Sequence, residues 1–124
     1  MFPADSESAG VEELISHFGK MENLKINILN TSTHETTKLL AESRVFCSTA
    51  AHYLFWAAED IERGRTALKC KPPIRNEKNR LELLRSLAKD SINIITSSHF
   101  PVPPELKADC KDFCQALGGV STLG

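Results

Sequence analysis

The sequence lacks several features that would assign a protein to a class at once. It has no run of about eighteen apolar residues, the length that suggests a membrane-spanning helix. Its first residues, MFPADSESAG, have no basic region followed by an apolar stretch. It also has no basic run, and its 15 basic and 16 acidic side chains give a net charge of −1. These absences argue against a membrane span, a secretory signal peptide and a nucleic-acid-binding surface. We therefore expect a soluble cytoplasmic protein with neither a membrane nor a nucleic acid as partner.

The spacing of the cysteines includes no Cys-x-x-Cys pair. The four cysteines are Cys47, Cys70, Cys110 and Cys114. Because they are widely spread in a chain without an export signal, we expect reduced thiols rather than disulfides. Cys110 and Cys114 could share one helix face and, with His99 or His52, hold a zinc ion. The alternative is that these thiols are semi-buried small apolar side chains.

The composition itself is that of a small globular domain. Apolar residues make up 41% of the 124 positions and charged residues 25%, which is an ordinary mixture for a folded chain. No internal repeat or low-complexity tract divides it. We therefore treat residues 1–124 as one domain.

The first half of the chain predicts two helices and two strands. Apolar residues at helical spacing predict a helix over 11–20, and the alternating pattern of LKINILN predicts a strand over 24–30. Thr33, or Ser32 before it, can cap a second helix that runs to about Ser43. A second strand is expected at 44–49.

The second half predicts a long ordered loop, a helix and a strand. Residues 50–76 are expected to form the loop, and Asn76 can cap a helix over 77–89. SINIITSS, at 91–98, is typical of a strand buried on both faces. The prolines at 101, 103 and 104 are expected to exclude regular structure until a short helix near 111–117. The apolar face of the 77–89 helix is expected to contain Leu81, Leu84, Leu87 and Ala88.

The order of these elements favours parallel strands joined by crossover helices, which is an α/β fold. Three strands cannot close a barrel. We expect the chain to leave apolar sheet edges and faces uncovered unless further polypeptide covers them.

Several motifs, in order and at family-like spacing, carry a resemblance to a known family. AHYLFWAAEDIERGRTALKCKPPIRNEKNRLELLRSL, then ITSSHFPVPPELK and KDFCQALGGVSTLG, are similar to the corresponding run of the allantoinases. KINILNTSTHETTKLLAES resembles a weaker family segment in which a strand ends in a histidine. The resemblance covers residues 24–124 and is strongest over 51–124.

This resemblance implies a partial TIM-type (β/α)8 metal-dependent hydrolase barrel, containing about strands six to eight with their helices. The family's reaction is the hydrolytic ring opening of allantoin to allantoate in purine breakdown. Two divalent metals, zinc in the intact family, are bridged by a carboxylated lysine and activate a hydroxide. An aspartate after strand eight binds metal and moves the proton.

The sequence departs from the family at its metal ligands. The strand-six histidine corresponds to Asn30, and the strand-eight aspartate corresponds to Ser98. An amide ligates these metals poorly, and serine is no general base at neutral pH without an activating partner. The remaining ligands would lie earlier than this chain begins. We therefore expect no intact catalytic or metal residue and no bound cofactor in this chain.

Four further residues are candidates by the same resemblance. Main-chain groups at Lys71 and Gly118 correspond to those that hold the ring amide of the substrate in cyclic amidohydrolases. His52 and His99 align with family histidines that do not ligate metal, so a supporting role behind the ligands is the interpretation. The alternative is that both are ordinary hydrogen-bonded or exposed histidines. Likewise, Arg75 and Arg80 could simply pair with Glu77 or Glu82 on the surface.

Three functions follow from this reading. The first is an allantoinase-like amidohydrolase fragment, a pseudoenzyme without activity by itself. The second is a non-catalytic binding or assembly protein, including a homo-oligomer. The third is a chain that is complemented by a separate amidohydrolase polypeptide, although even a completed barrel would still carry Asn30 and Ser98.

Overall fold

A parallel three-stranded sheet with helices packed against it forms this chain, and its computed structural model describes residues 3–108 and 113–123. The strands are β1 (Asn27–Ile28), β2 (Phe46–Ala50) and β3 (Ile94–Thr96), with β2 in the middle. Both strand pairs are parallel. This arrangement confirms the α/β fold predicted from the alternation of helices and strands.

The helices lie beside the sheet, and α2 packs against β2 between α1 and α4. Two short 3-10 turns, at Ala58–Asp60 and Thr66–Leu68, shape the connection between α3 and α4. Within the described ranges, no helix has the length and apolar character required to cross a membrane. The helices are α1 (Ala4–Phe18), α2 (His34–Ala41), α3 (Ala51–Phe55), α4 (Glu77–Ala88) and α5 (Pro104–Ala108).

Two helices begin where their capping residues predict. The Thr33 side chain accepts a hydrogen bond from the main-chain N–H of Thr36, and the Asn76 side chain accepts one from Asn79 at 2.9 Å. Each cap satisfies a donor that the first helical turn leaves without an intrahelical partner. The sequence therefore located the starts of α2 and α4 correctly.

Several predicted boundaries were wrong, and the strands predicted over 24–30 and 91–98 are observed only over Asn27–Ile28 and Ile94–Thr96. Helix α1 begins at Ala4 rather than near residue 11, because the polar segment before Val11 continues the helix without apolar periodicity. The 50–76 segment is not all loop, since α3 follows β2 immediately. Helix α5 begins at Pro104, because proline is tolerated at the first helical position, where its missing N–H would have no intrahelical partner.

The predicted helix near 111–117 is not observed over the part that the structure describes. Residues 109–112, which include Cys110, lie outside the described ranges, and residues 113–115 form turns. The zinc hypothesis that involves Cys110 therefore falls on a position that is not described.

The buried faces also differ from those predicted. Leu83 is the fully buried residue of α4, while Leu81 is 42% exposed. The run LELL places leucines on more than one face of the helix, and packing against α2 and α3 decides which is covered. On β3, Ile94 and Ile95 are 42% and 49% exposed, so this strand is not buried on both faces within this chain.

The core lies between the sheet and its covering helices and extends under the loop after α3. It draws residues from α1, α2, β2, α3 and α4, from the loop before α4 and from the C-terminal segment, so distant parts of the chain share one interior. Its members are Val11, Leu40, Val45, Cys47, Ala50, Tyr53, Leu68, Cys70, Ile74, Leu83, Ile92 and Val120.

Candidate functional site

The candidate site lies at the edge of the sheet where all three strands end. Because the strands are parallel, their carboxyl ends share one edge, and the residues that follow them come together there. The Thr31 N–H donates to Ser48 O at 2.9 Å, and the Thr49 hydroxyl donates to Thr31 O at 2.7 Å. These bonds fix the chain just after Asn30 against β2.

Asn30 and Ser98 both have left-handed backbones at this edge. Asn30 follows β1 with φ 57°, and Ser98 follows β3 with φ 45°. Asparagine adopts this region readily, whereas serine does so less often, and such conformations concentrate at functional sites. Both side chains are half-buried. The two positions that the resemblance assigns to metal ligands thus share a conformation uncommon for residues other than glycine.

The residues at these positions do not fit a pair of divalent metals. Asn30 offers a neutral amide oxygen and Ser98 a neutral hydroxyl, neither of which matches imidazole or carboxylate as a ligand for zinc. Across residues 3–108 and 113–123, no three histidine, cysteine, aspartate or glutamate side chains are grouped so that they could hold a metal ion.

Lys71 and Gly118 lie side by side. A methyl group on Gly118 would be 3.5 Å from Lys71 Cγ and 3.7 Å from the Lys71 main-chain nitrogen. The adjacent Gly119 N–H donates to Lys69 O at 2.7 Å, which joins the two segments. The two positions that the resemblance pairs as substrate contacts are thus neighbours in space, although they are distant in sequence. Their contact with substrate stays a prediction.

His99 joins β3's loop to the C-terminal segment. Its Nδ1 accepts hydrogen bonds from the main-chain N–H groups of Thr122 at 3.1 Å and Leu123 at 3.0 Å. The Thr122 hydroxyl also donates to Ser97 O at 2.7 Å. Since Nδ1 accepts, the proton of the neutral ring is on Nε2. His99 therefore holds the C-terminal segment beside Ser98.

His52 is buried at the start of α3, beneath the same edge. It is 5% exposed, its ring lies 4.2 Å from the Tyr53 ring, and neither of its nitrogens has a hydrogen-bond partner among the described residues. Burial lowers the pKa of His52, because the charged imidazolium loses its hydration. His52 is therefore buried and has no hydrogen bond to any described residue, and its environment favours the neutral form.

The next residue, Tyr53, is hydrogen-bonded to the loop that carries Lys71. Its hydroxyl donates to Pro72 O at 2.8 Å, and burial raises the pKa of both Tyr53 and the neighbouring Cys70. Both groups therefore stay protonated at neutral pH. The tyrosine side chain links α3 to the loop that carries Lys71.

A partly buried carboxylate behind the site was not predicted from the sequence. Glu7 of α1 accepts hydrogen bonds from the main-chain N–H groups of Ser32 at 2.9 Å and Thr33 at 3.0 Å, at the start of α2. Arg75 lies 3.8 Å from the same carboxylate and donates to Ser32 Oγ at 3.2 Å. Arg75 therefore pairs with Glu7, and Arg80 pairs with Glu77, one of the two surface partners suggested by the sequence. A glutamate in a polar helical segment gives no sequence signal of such a distant contact.

Lys107 is the second residue of this region that the sequence did not predict to be buried. It is 6% exposed and its ammonium donates to Ala67 O at 3.0 Å and to Gly119 O. The motif PELK contained it, but the motif alone does not show that the lysine is buried.

Allantoinases are similar to nearly the whole of this chain. The allantoinase of Desulfitobacterium hafniense (strain DSM 10664 / DCB-2) is 35% identical over 124 residues, which covers 96% of this chain and 27% of that protein. The Arabidopsis thaliana allantoinase is 36% identical over 112 residues, covering 85% of this chain and 22% of that one. The chain thus spans about a quarter of these relatives, and the longer match extends beyond the motifs at 24–124. No family model matches the chain.

Solved structures of cyclic amidohydrolases share its fold. A D-hydantoinase from Bacillus sp. AR9 superposes with a TM-score of 0.82 at 19% identity, over 97% of this chain and 28% of that one. The L-hydantoinase of Arthrobacter aurescens gives 0.75 at 21% identity, over 98% and 27%. These enzymes are TIM barrels. The three-stranded sheet is accordingly a part of such a barrel, as predicted.

Proposed function

Because this chain belongs to the allantoinase family of cyclic amidohydrolases, we propose that it carries the substrate-holding loops of that fold without its metal chemistry. By itself it does not open the allantoin ring. The observation that carries this proposal is the pair Asn30 and Ser98 at the carboxyl ends of β1 and β3.

Ring opening of a cyclic amide needs an activated water and a group that moves a proton to the leaving nitrogen. Two divalent metals supply the activation in the intact family, but the donors at Asn30 and Ser98 do not fit them. A serine hydroxyl cannot act as the general base at neutral pH without an activating partner. This chain therefore lacks both the water activation and the proton transfer.

What remains is a main-chain surface suited to a ring amide. A ring amide presents one N–H and one C=O side by side, and the neighbouring main chains at Lys71 and Gly118 can supply the complementary acceptor and donor. A contact through the main chain tolerates the side chain of Lys71. We propose that these positions bind the amide of a hydantoin-type ring, the class to which allantoin, a purine breakdown product, belongs.

A chimaera tests this assignment. Residues 24–124 would replace the matching segment of an intact allantoinase, and allantoin hydrolysis and bound metal would be measured. We expect a folded barrel without hydrolysis, because loss of an acid–base group typically costs about 10²–10⁴-fold in rate and each lost ligand also weakens the metal pair. Asn30→His with Ser98→Asp should restore both metal and turnover in the chimaera.

The control is the same double substitution in the 124-residue chain, which should restore neither. A chimaera that hydrolyses allantoin near the parent rate without these reversions would contradict the proposal, because the assignment of Asn30 and Ser98 would then be wrong.

A second function, assembly with other polypeptides, is favoured by the exposed apolar residues of the sheet. Phe46, Ile94 and Ile95 are 45%, 42% and 49% exposed, and both edge strands have an unpaired side within the described sheet. Such surfaces promote association with a second copy or with a complementing amidohydrolase chain.

A further inference from the structure

We infer that Lys107 is a positioning residue that fixes the two main-chain segments proposed to hold the substrate amide. This inference rests on the proposed function, since it concerns how that site is held in shape. It assigns a role to the one buried lysine among the described residues.

Lys107 connects the two segments directly. Its ammonium donates to Ala67 O at 3.0 Å, four residues before Lys71, and to Gly119 O, next to Gly118. Its own carbonyl accepts a hydrogen bond from the Thr66 hydroxyl at 3.2 Å. Both ends of the residue are therefore attached to the 66–71 segment, and its ammonium reaches across to the 118–120 segment.

A main-chain hydrogen bond joins the same two segments beside the lysine. The Gly119 N–H donates to Lys69 O at 2.7 Å, so Gly119 is held by both its donor and its acceptor. The Phe100 N–H donates to Val120 O at 3.1 Å. This bond joins the 118–120 segment to the loop that carries Ser98. The 118–120 segment that Lys107 binds is thus also joined to the 66–71 segment and to the loop that follows β3.

The Lys107 ammonium is buried, so its positive charge loses hydration. Among the described residues it forms no ion pair with a carboxylate, and burial lowers the pKa of Lys107. A buried charge is tolerated only where hydrogen bonds replace its hydration. Carbonyl acceptors that receive a charged donor are held more firmly than those in neutral hydrogen bonds, which suits a group that orders main chain.

The test uses NMR to measure amide hydrogen exchange and hydantoin binding in the 124-residue chain. Lys107→Met keeps a long apolar side chain but removes the donors. We expect the Gly119 amide to exchange about tenfold faster or more, because hydrogen bonds to charged groups contribute more than neutral ones. The sheet amides of Thr31 and Phe46, which donate to the main-chain carbonyls of Ser48 and Ile26, should be unchanged. Hydantoin should shift the Lys71 and Gly118 amide signals in the wild type and bind about tenfold more weakly to the variant.

Lys69→Met is the matched control, because Lys69 also donates to two carbonyls, those of Phe113 and Cys114, but its side chain does not link Ala67 to Gly119. Its Gly119 exchange should stay near the wild-type rate. Should Lys107→Met fail to fold, Thr66→Val removes only the hydroxyl that holds the Lys107 carbonyl and should produce the same pattern at smaller size.

Unchanged Gly119 exchange in the folded variants would overturn the role of Lys107. Uniformly faster exchange that includes the sheet amides would also overturn it, since the lysine would then stabilise the fold rather than position the loops. Absence of hydantoin-induced shifts in the wild type would instead reject the proposed substrate contact, and the exchange result would still decide the role of Lys107.

Discussion

His52 is a buried imidazole without a hydrogen-bond partner among the described residues, so its protonation is coupled to folding. Burial holds the pKa of His52 below its ordinary value of 6.5. The stability that this depressed pKa represents is fully present above pH 6.5. It is lost as the pH falls toward the folded-state pKa, because the unfolded chain then binds a proton that the folded chain does not.

We therefore expect the free energy of unfolding to fall below pH 6.5, with a contribution from His52 of at most about 1.4 kcal/mol per pH unit. Urea denaturation at a series of pH values measures it. His52→Phe should flatten this part of the profile, whereas His17→Phe, at an exposed position, should leave it in place. An equally steep profile in His52→Phe would reject the coupling.

Gly119 is a position where the backbone and the available space both require glycine. Its φ is +151°, and a methyl group would lie 2.5 Å from Phe100 O and 2.8 Å from Val102 Cγ2. We expect Gly119→Ala to destabilise the protein by about 1–3 kcal/mol in thermal or urea unfolding, as strained or overpacked positions do. Gly10→Ala is the contrasting variant, since it lies within α1 with open space and should stabilise by about 1 kcal/mol. Equal effects of the two substitutions would contradict this account.

The sequence predicted the site residues unevenly, for physical reasons. Lys71 and Gly118 could be paired because motifs place them in family positions. Glu7 and Lys107 could not be found, since their contacts span long sequence separations, and neither residue type is normally buried. Local patterns predict which residues are available, but burial depends on how loops and helices pack.

At the scale of elements, capping residues were reliable predictors and apolar patterns less so. Thr33 and Asn76 predicted the starts of α2 and α4 correctly, because an N-cap hydrogen bond is made within the first helical turn. The sequence predicted neither the start of α1 nor helix α5. The segments that begin these helices are polar or rich in proline and therefore show no apolar periodicity. The buried face of α4 depends on which neighbouring helix covers Leu83, which is a tertiary property.

Helix α1 is attached to the start of α2 through Glu7, and this contact gives a prediction. Glu7→Gln keeps the shape of the side chain but removes the negative charge that faces Arg75 and the α2 N-terminus. We expect a loss of about 1–3 kcal/mol in the free energy of unfolding, because the contact is partly buried and charge-assisted. Glu13→Gln, on the exposed face of the same helix, should change stability by less than about 0.5 kcal/mol. Comparable losses in both variants would show that the Glu7 contact contributes no more to stability than an exposed glutamate does.

At the scale of the whole molecule, the sheet is a portion of a barrel that these strands cannot close. β1 and β3 each have a neighbour on one side only within the described sheet, and apolar residues on β3 face outward. An open edge with exposed isoleucines is a surface for pairing with further strands. The expectation from sequence that three strands leave apolar surface uncovered is confirmed by this exposure.

We therefore expect the isolated 124-residue chain to self-associate at micromolar concentrations, which gel filtration with light scattering would measure. Ile94→Lys should shift the population toward monomer, because a lysine on an edge strand opposes both strand pairing and apolar burial. Leu81→Lys is a matched control: Leu81 and Ile94 are each 42% exposed, but Leu81 lies on helix α4, away from the sheet edge. Association that weakens equally in both variants would indicate nonspecific apolar association rather than pairing at β3. A compact wild-type monomer that unfolds cooperatively would contradict the prediction altogether, because the exposed strand would then need no partner to remain in solution.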